Sequence, residues 1–224
     1  MEKPNGYARM GRIIESALAL FMCFVAFTLL VRFVDARPIG PNGSVVGFAA
    51  VNAAVRDFFG TSDTWYTITE CIGYVAIAVA AAFACMGAVQ AIGGRSLRKV
   101  DSKIYALGVV YVLVIVFYVF FELVVVNYRP ILVDGVLEAS YPSSHSMVAM
   151  TVFGTAAILS EYYIKRKGAR RVVTFLCGLC AGVVVFGRLA SGVHWLTDVV
   201  GGLLLSAFFI DTFKNVCAYI DGEA

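Results

Sequence analysis

Residues Gly187–Phe213 read GRLASGVHWLTDVVGGLLLSAFFIDTF. From Trp195 to Phe213 the run is apolar and approaches the roughly 20 residues that a helix needs to cross a bilayer. Hydrocarbon offers no hydrogen bonds to a bare backbone, so such a run has to be helical. At its start stand His194 and Asp198, four residues apart and therefore on one helix face. A carboxylate there can hold one imidazole nitrogen as N–H and leave the other free to attack, which is the logic of nucleophile and orienter in covalent catalysis. An ionisable pair at the mouth of an apolar span reads as functional by default. A structural ion pair or cap is the plainer alternative.

Five further stretches have the same apolar character: Ile13–Val34, Trp65–Ile92, Ile104–Val126, Ser146–Ile164 and Val172–Phe186. The last is short, but flanking arginines can reach the headgroups. The expectation is an all-α bundle of six transmembrane helices forming one domain over residues 1–224. The whole composition agrees: 60% of the 224 residues are hydrophobic, 15% are charged and the mean hydropathy is +0.84, whereas soluble domains carry about 25% charged residues. A water-soluble domain is excluded, and a net charge of +3 gives no reason to expect nucleic acid. Six cysteines follow no disulfide framework. Cys177-x-x-Cys180 lies mid-span, with no second pair or nearby histidine, and reads as small apolar packing. The first apolar run is too long for the core of a signal peptide.

Basic residues set the orientation. Lys3, Arg9 and Arg12 precede the first span; Arg95, Arg98, Lys99 and Lys103 follow the second; Lys165, Arg166, Lys167, Arg170 and Arg171 follow the fourth; Lys214 follows the sixth. Every lysine is on that side, and only Arg32, Arg37, Arg56, Arg129 and Arg188 are on the other. Both termini are therefore expected in the cytoplasm, with three connections facing out. The first of these, Asp35–Thr64, places Val45, Phe48, Val51, Val55, Phe58 and Phe59 at helical spacing, against polar Asn52, Arg56 and Asp57. This reads as a short amphipathic helix on the outer leaflet; a packed connecting helix would fit the same pattern.

The chemistry gathers in the outward connections. The chain's two histidines, His145 and His194, both fall there. His145 ends Pro142-Ser143-Ser144-His145, a proline and two serines before an apolar run, which marks a helix start. Free N–H groups and the positive dipole end make such a start an anion site. Ser143 and Ser144 can bind phosphate oxygens there, with His145 beside them as a general acid. Arg129 and Arg188 add guanidinium forks that match phosphate geometry. No outward carboxylate cluster of metal-site type is present, so neither metal nor cofactor is expected.

These residues resemble the type 2 phosphatidic acid phosphatase family, whose motifs read K-x6-R-P, P-S-G-H and S-R-x5-H-x3-D; the vanadium haloperoxidases share the motif set. Here the motifs stand as Glu122-(x6)-Arg129-Pro130, Pro142-Ser143-Ser144-His145 and Gly187-Arg188-(x5)-His194-(x3)-Asp198, within a core of residues 122–202. The resemblance implies His194 as nucleophile oriented by Asp198, and His145 as the group that protonates the leaving oxygen and then activates water. Arg129, Arg188, Ser143 and the Ser144 backbone would hold the phosphoryl oxygens. Three positions depart from the pattern: Ser144 for glycine, Gly187 for serine, and Glu122 for the lysine. Glu122 lies about two turns before Arg129 on the same helix face and is expected to pair with an arginine of the site. Arg37 or Arg56 would supply the missing cation if the first connection folds over it.

The implied activity is removal of phosphate from a lipid phosphate, of the phosphatidic acid, phosphatidylglycerol phosphate or polyprenyl diphosphate class. It would proceed through a phosphohistidine at the outer face of a bacterial cytoplasmic membrane. A phosphotransferase using the same intermediate and a non-catalytic lipid-phosphate binder are the competing readings. A vanadate peroxidase fits poorly without the lysine. The sequence is silent on oligomeric state.

Overall fold

Short polar side chains placed before apolar runs start the helices. Ser62 Oγ accepts from Trp65 N at 3.4 Å, Asp101 Oδ1 from Lys103 N at 2.8 Å, and Ser143 Oγ from Ser146 N at 3.4 Å. The computed structural model describes residues 6–222. In chain order it holds α1 (Gly6–Phe33), α2 (Ala49–Phe59), α3 (Asp63–Gly93), α4 (Ser102–Leu123), α5 (Ser144–Tyr163), α6 (Lys167–Ala190) and α7 (Leu196–Ile220). Among the described residues there are isolated antiparallel bridges but no strand. Lys3 of the basic leading segment lies outside the described residues. Among the described residues five helices are long and apolar enough to cross a membrane: α1 from Met10, α3, α4, α6 and α7.

The helices α5 and α7 form the centre. α5 packs on α3, α6 and α7, while α7 also packs on α1 and α4. Phe24 of α1, Leu107 and Phe121 of α4, Leu159 of α5, and Leu205 and Phe209 of α7 share one buried cluster. Ala76 of α3, Val152 and Phe153 of α5 and Val184 of α6 share a second. Between apolar helices in lipid, small and hydroxylated side chains permit close packing. Two of the buried hydroxyls of α5 and α7 are satisfied on their own backbone: Thr155 Oγ1 donates to Thr151 O and Ser206 Oγ to Gly202 O, both at 2.7 Å. This accounts for α5, a well-formed 20-residue helix that is absent from the set apolar enough to span alone.

Observed helices run past the expected boundaries wherever charges trimmed the apolar run. The fifth expected span, Val172–Phe186, is the 24-residue helix Lys167–Ala190 and includes Arg170, Arg171 and Arg188. The sixth continues beyond Phe213 through Lys214 to Ile220. In the connection between α1 and α3 the helix begins at Ala49 rather than near Val45. Val46 is drawn into a bridge with Arg37, with N–H···O bonds of 2.9 and 3.1 Å, and Phe48 takes a positive φ of 48°.

Asn52, grouped with the polar face of that helix, is fully buried. Its Nδ2 donates to Gly47 O at 2.7 Å and to Thr197 Oγ1 at 2.9 Å, and its Oδ1 accepts from Thr197 N at 3.2 Å. Val51 and Phe58 of the same helix are exposed. The polar side chain thus docks α2 onto the first turn of α7, while apolar side chains face outward. Replacing Asn52 with alanine leaves Thr197 N–H without this partner, and unfolding in detergent should be easier by about 1–3 kcal/mol. Thermal denaturation followed by circular dichroism measures it; an unchanged midpoint would show that this junction contributes nothing.

Candidate active site

The first turn of α7 is held by Asp198. Its Oδ2 accepts the N–H of Trp195, the residue just before the helix, at 2.9 Å, and its Oδ1 accepts from Asn127 Nδ2 at 3.1 Å. A carboxylate in this position meets free N–H groups and the positive end of the helix dipole. His194 Nδ1 lies 3.6 Å from Asp198 Oδ2, close enough for charge attraction but longer than a hydrogen bond. The other nitrogen, Nε2, lies 3.4 Å from Arg188 Nη2. Burial, and then the guanidinium groups of Arg188 and Arg129, hold the His194 imidazole well below the usual histidine range.

Arg188, near the end of α6, is completely buried. Its Nη1 donates to Thr69 Oγ1 at 3.2 Å and to Glu70 Oε1 at 3.0 Å, and the guanidinium lies 5.5 Å from the centre of the Tyr66 ring. Tyr66, Thr69 and Glu70 share one face of α3 by their spacing. Glu70 Oε1 is also 3.0 Å from His145 Nε2. The two histidines are therefore joined through one guanidinium and one carboxylate. Arg129, between α4 and α5, lies with its Nε 3.0 Å from Glu138 Oε2.

A narrow seat is lined by Glu122, Arg129, Ser140, Ser144 and His194. Within it, Ser140 Oγ is buried and has no hydrogen-bond partner among the described residues. Two clefts adjoin Ser144 and His145. One, of about 280 Å³, is apolar and runs along Gly73, Tyr74 and Ile77 of α3 and Val148 of α5. The other, of about 470 Å³, is polar and is bordered by Glu122, Tyr128, Arg129 and Glu138. Arg188 and Lys167 stand near opposite ends of α6, roughly 30 Å apart at 1.5 Å per residue, so the site lies at the end away from the lysines.

His194, Asp198, His145, Arg129, Arg188 and Ser144 thus come to one place. Ser143 is adjacent, but its hydroxyl caps α5 and lies 3.1 Å from Ser146 Oγ, so it is already committed. Ser144 is not among the positive-φ residues; a side chain at this position costs nothing in backbone strain. Glu122 lines the seat but makes no ion pair among the described residues, contrary to expectation, because Glu70 and Glu138 already hold the arginines. Arg37 pairs with Asp35 at 2.8 Å and Arg56 lies over the Trp195 ring at 5.7 Å; neither is among the residues lining the seat. Sequence reasoning missed Thr69, Glu70, Asn127, Glu138 and Ser140. For Glu70 a signal existed, an acid inside an apolar span. For the others no spacing announced a role.

Residues 73–218 match the PAP2 superfamily. Phosphatidylglycerophosphatase B of Bacillus subtilis (strain 168) is 32% identical over 77 residues, which cover 34% of this chain and 38% of that protein. The aligned segment is thus little more than a third of that relative's length. The crystal structure of a transmembrane PAP2 type phosphatidylglycerolphosphate phosphatase from Bacillus subtilis superimposes with a TM-score of 0.57 over 93% of this chain and 96% of that one. At 18% identity this likeness establishes the shared fold.

Gly187, where serine was expected, has a steric cause. A Cβ at this position would lie 2.4 Å from Thr69 Cγ2 and 3.1 Å from Trp65 Cε3. Gly187→Ser should therefore push α3 from α6 and destabilise the fold by about 1–3 kcal/mol. Adding Thr69→Ala should recover part of that loss, because it removes the clashing methyl and the new serine can replace the lost hydroxyl. Thermal unfolding of the single and double variants in detergent decides it; no recovery in the double variant would contradict the steric account.

Proposed function

The chain belongs to the PAP2 superfamily, and from that premise we propose that it is a membrane lipid phosphatase working through a phosphohistidine on His194. The observation that carries this reading is the buried Arg188 guanidinium, 3.4 Å from His194 and 3.0 Å from the carboxylate that holds His145. A phosphoryl group drawn to that guanidinium meets an imidazole on each side. His194 Nε2 attacks phosphorus in line, and His145 gives its proton to the departing oxygen. A water that loses a proton to His145 then cleaves the N–P bond and releases phosphate. Phosphoryl transfer asks mainly for positioning and charge neutralisation. Arg129, Arg188 and the N–H groups opening α5 suit that task, so the reaction needs no metal or cofactor. The whole chain acts as a single membrane domain.

In this reading α5 is the sixth span, its hydroxyls kept from lipid by α3, α6 and α7. The lysine-bearing end is cytoplasmic, both termini with it, and the site faces outward from the cytoplasmic membrane of a bacterium. α2, with Val51 and Phe58 exposed, lies at the outer leaflet as an interfacial helix. The apolar cleft beside His145 takes the acyl chain, and the polar cleft takes the headgroup. The Bacillus relatives are named for phosphatidylglycerolphosphate, which is the first lipid to assay, ahead of phosphatidic acid and polyprenyl diphosphate. Glu122 and Glu138 border the polar cleft and favour a leaving group without a further phosphate, since like charges repel there.

Three outcomes follow from this chemistry. Phosphate release in detergent should persist in excess EDTA and fall by at least about 1,000-fold in His194→Ala, the scale seen when a covalent nucleophile is removed. Retained turnover in that variant would refute the phosphohistidine. Because His194 is held well below the usual histidine range, it stays neutral and nucleophilic across pH 6.5–8. The acid limb of kcat/KM should then lie clearly below 6.5, and a limb above that value would contradict the assignment. Glu122→Lys should raise the diphosphate-to-monophosphate ratio of kcat/KM by about tenfold, the equivalent of 1.4 kcal/mol; an unchanged ratio would remove Glu122 from substrate choice.

A further inference from the structure

We propose that Glu70 is the positioning carboxylate of His145, so that the site works through two histidine–carboxylate pairs bridged by Arg188; this rests on the phosphatase reading above. Glu70 Oε1 contacts His145 Nε2 and Arg188 Nη1, each at 3.0 Å. Contact with a carboxylate makes Nε2 the protonated nitrogen in the neutral ring. The second nitrogen, Nδ1, is buried and has no hydrogen-bond partner among the described residues, which leaves it as the atom that trades protons with substrate and water. The arrangement mirrors His194, where Nδ1 faces the carboxylate and Nε2 faces the guanidinium.

The α3 surface is cut to admit this contact. Gly73 lies one turn after Glu70, and a Cβ there would come within 3.3 Å of His145 Cδ2 and 3.6 Å of Nε2. The Cδ2–Nε2 edge of the imidazole can therefore come close to the helix that carries its carboxylate.

The charges around His145 make such a partner necessary. Arg188 on α6 shares the Glu70 carboxylate with His145, and Arg129 in the α4–α5 connection borders the same polar cleft; both guanidinium charges oppose a proton on the ring, while Glu70 favours one. Tyr118 and Glu122 of α4 and Glu138 border the same clefts. A general acid has to carry a proton into the step where the ester P–O bond breaks and the His194 N–P bond forms. That proton passes from His145 to the leaving oxygen and is regained from the attacking water as the N–P bond breaks. Two guanidinium groups chosen to bind phosphate would strip it off, and the carboxylate of Glu70 offsets them.

Leaving-group chemistry separates positioning of the acid from simple support of Arg188. An alkyl phosphomonoester such as dioleoyl phosphatidic acid needs a proton on its leaving oxygen. A 4-nitrophenyl phosphate bearing a long alkyl chain does not. With both substrates in detergent, Glu70→Gln should lower kcat/KM on the alkyl ester by about 100-fold or more, the usual contribution of a general acid, and on the aryl ester by no more than about threefold. Glu70→Asp should recover part of the alkyl-ester rate. Equal losses on the two esters would overturn the proposal, because a disordered Arg188 would weaken the binding of both phosphates alike. If Glu70→Gln is not monodisperse on size exclusion, the same ratio is read in Glu70→Asp, where equal losses again overturn it. A wild-type protein that turns over neither ester would sink the phosphatase reading itself, and this proposal with it.

Discussion

A guanidinium with no exposed surface depends on the acceptors around it, and Arg188 is that group here: its two Nη atoms are answered, while its Nε has no hydrogen-bond partner among the described residues. Leaving such a charge unpaired inside a protein costs several kcal/mol. It is met by a hydroxyl, a carboxylate and a ring face from α3, and by an imidazole ahead of α7. Those bonds fix the approach of α3 to α6 and the path of the turn into α7. Gly187 is smooth for the same reason: any side chain there would separate the two helices that Arg188 ties together. The proposed chemistry uses the same contacts, since the group that joins the helices also stands between the two histidines.

Each cation of the site lies beside an anion. Arg188 is paired with Glu70 and Arg129 with Glu138, and the uncharged His194 imidazole faces Asp198. In the absence of substrate this balance limits repulsion among groups packed within a few ångströms. In the proposed reaction an arriving phosphate dianion competes with Glu70 and Glu138 for the guanidinium forks, and it succeeds by carrying more charge and more acceptor atoms. Glu122 is exposed on the rim and has no ion pair among the described residues; in the proposed reaction it influences what accompanies the phosphate rather than holding it.

The membrane reverses the usual sorting of polar and apolar side chains, and α2 and α5 both follow from that. The buried residues of α5 include serines and threonines whose hydroxyls bond to their own helix. α2 turns Asn52 inward to Thr197 and leaves Phe58 outside. Read by the rules of a soluble protein, both would be assigned the wrong face; Asn52, grouped with the polar residues of an interfacial helix, is buried instead.

The sequence by itself determined the helical class, the apolar runs, the side on which the lysines gather, and the histidine and arginine positions of the site. Each of these is written in local spacing: about twenty apolar residues for a span, four residues from His194 to Asp198, a proline–serine start at His145. What it could not supply were the partners. Thr69 and Glu70 are more than a hundred residues from Arg188, and Asn127 is seventy-one from Asp198; no periodicity links positions that far apart. The same limit assigned Glu122 an arginine that Glu138 and Glu70 already hold. Only the tertiary packing of α3 against α5 and α6 decided which carboxylate meets which cation, because an ion pair requires side chains within a few ångströms, and the order of residues along a chain does not encode that distance.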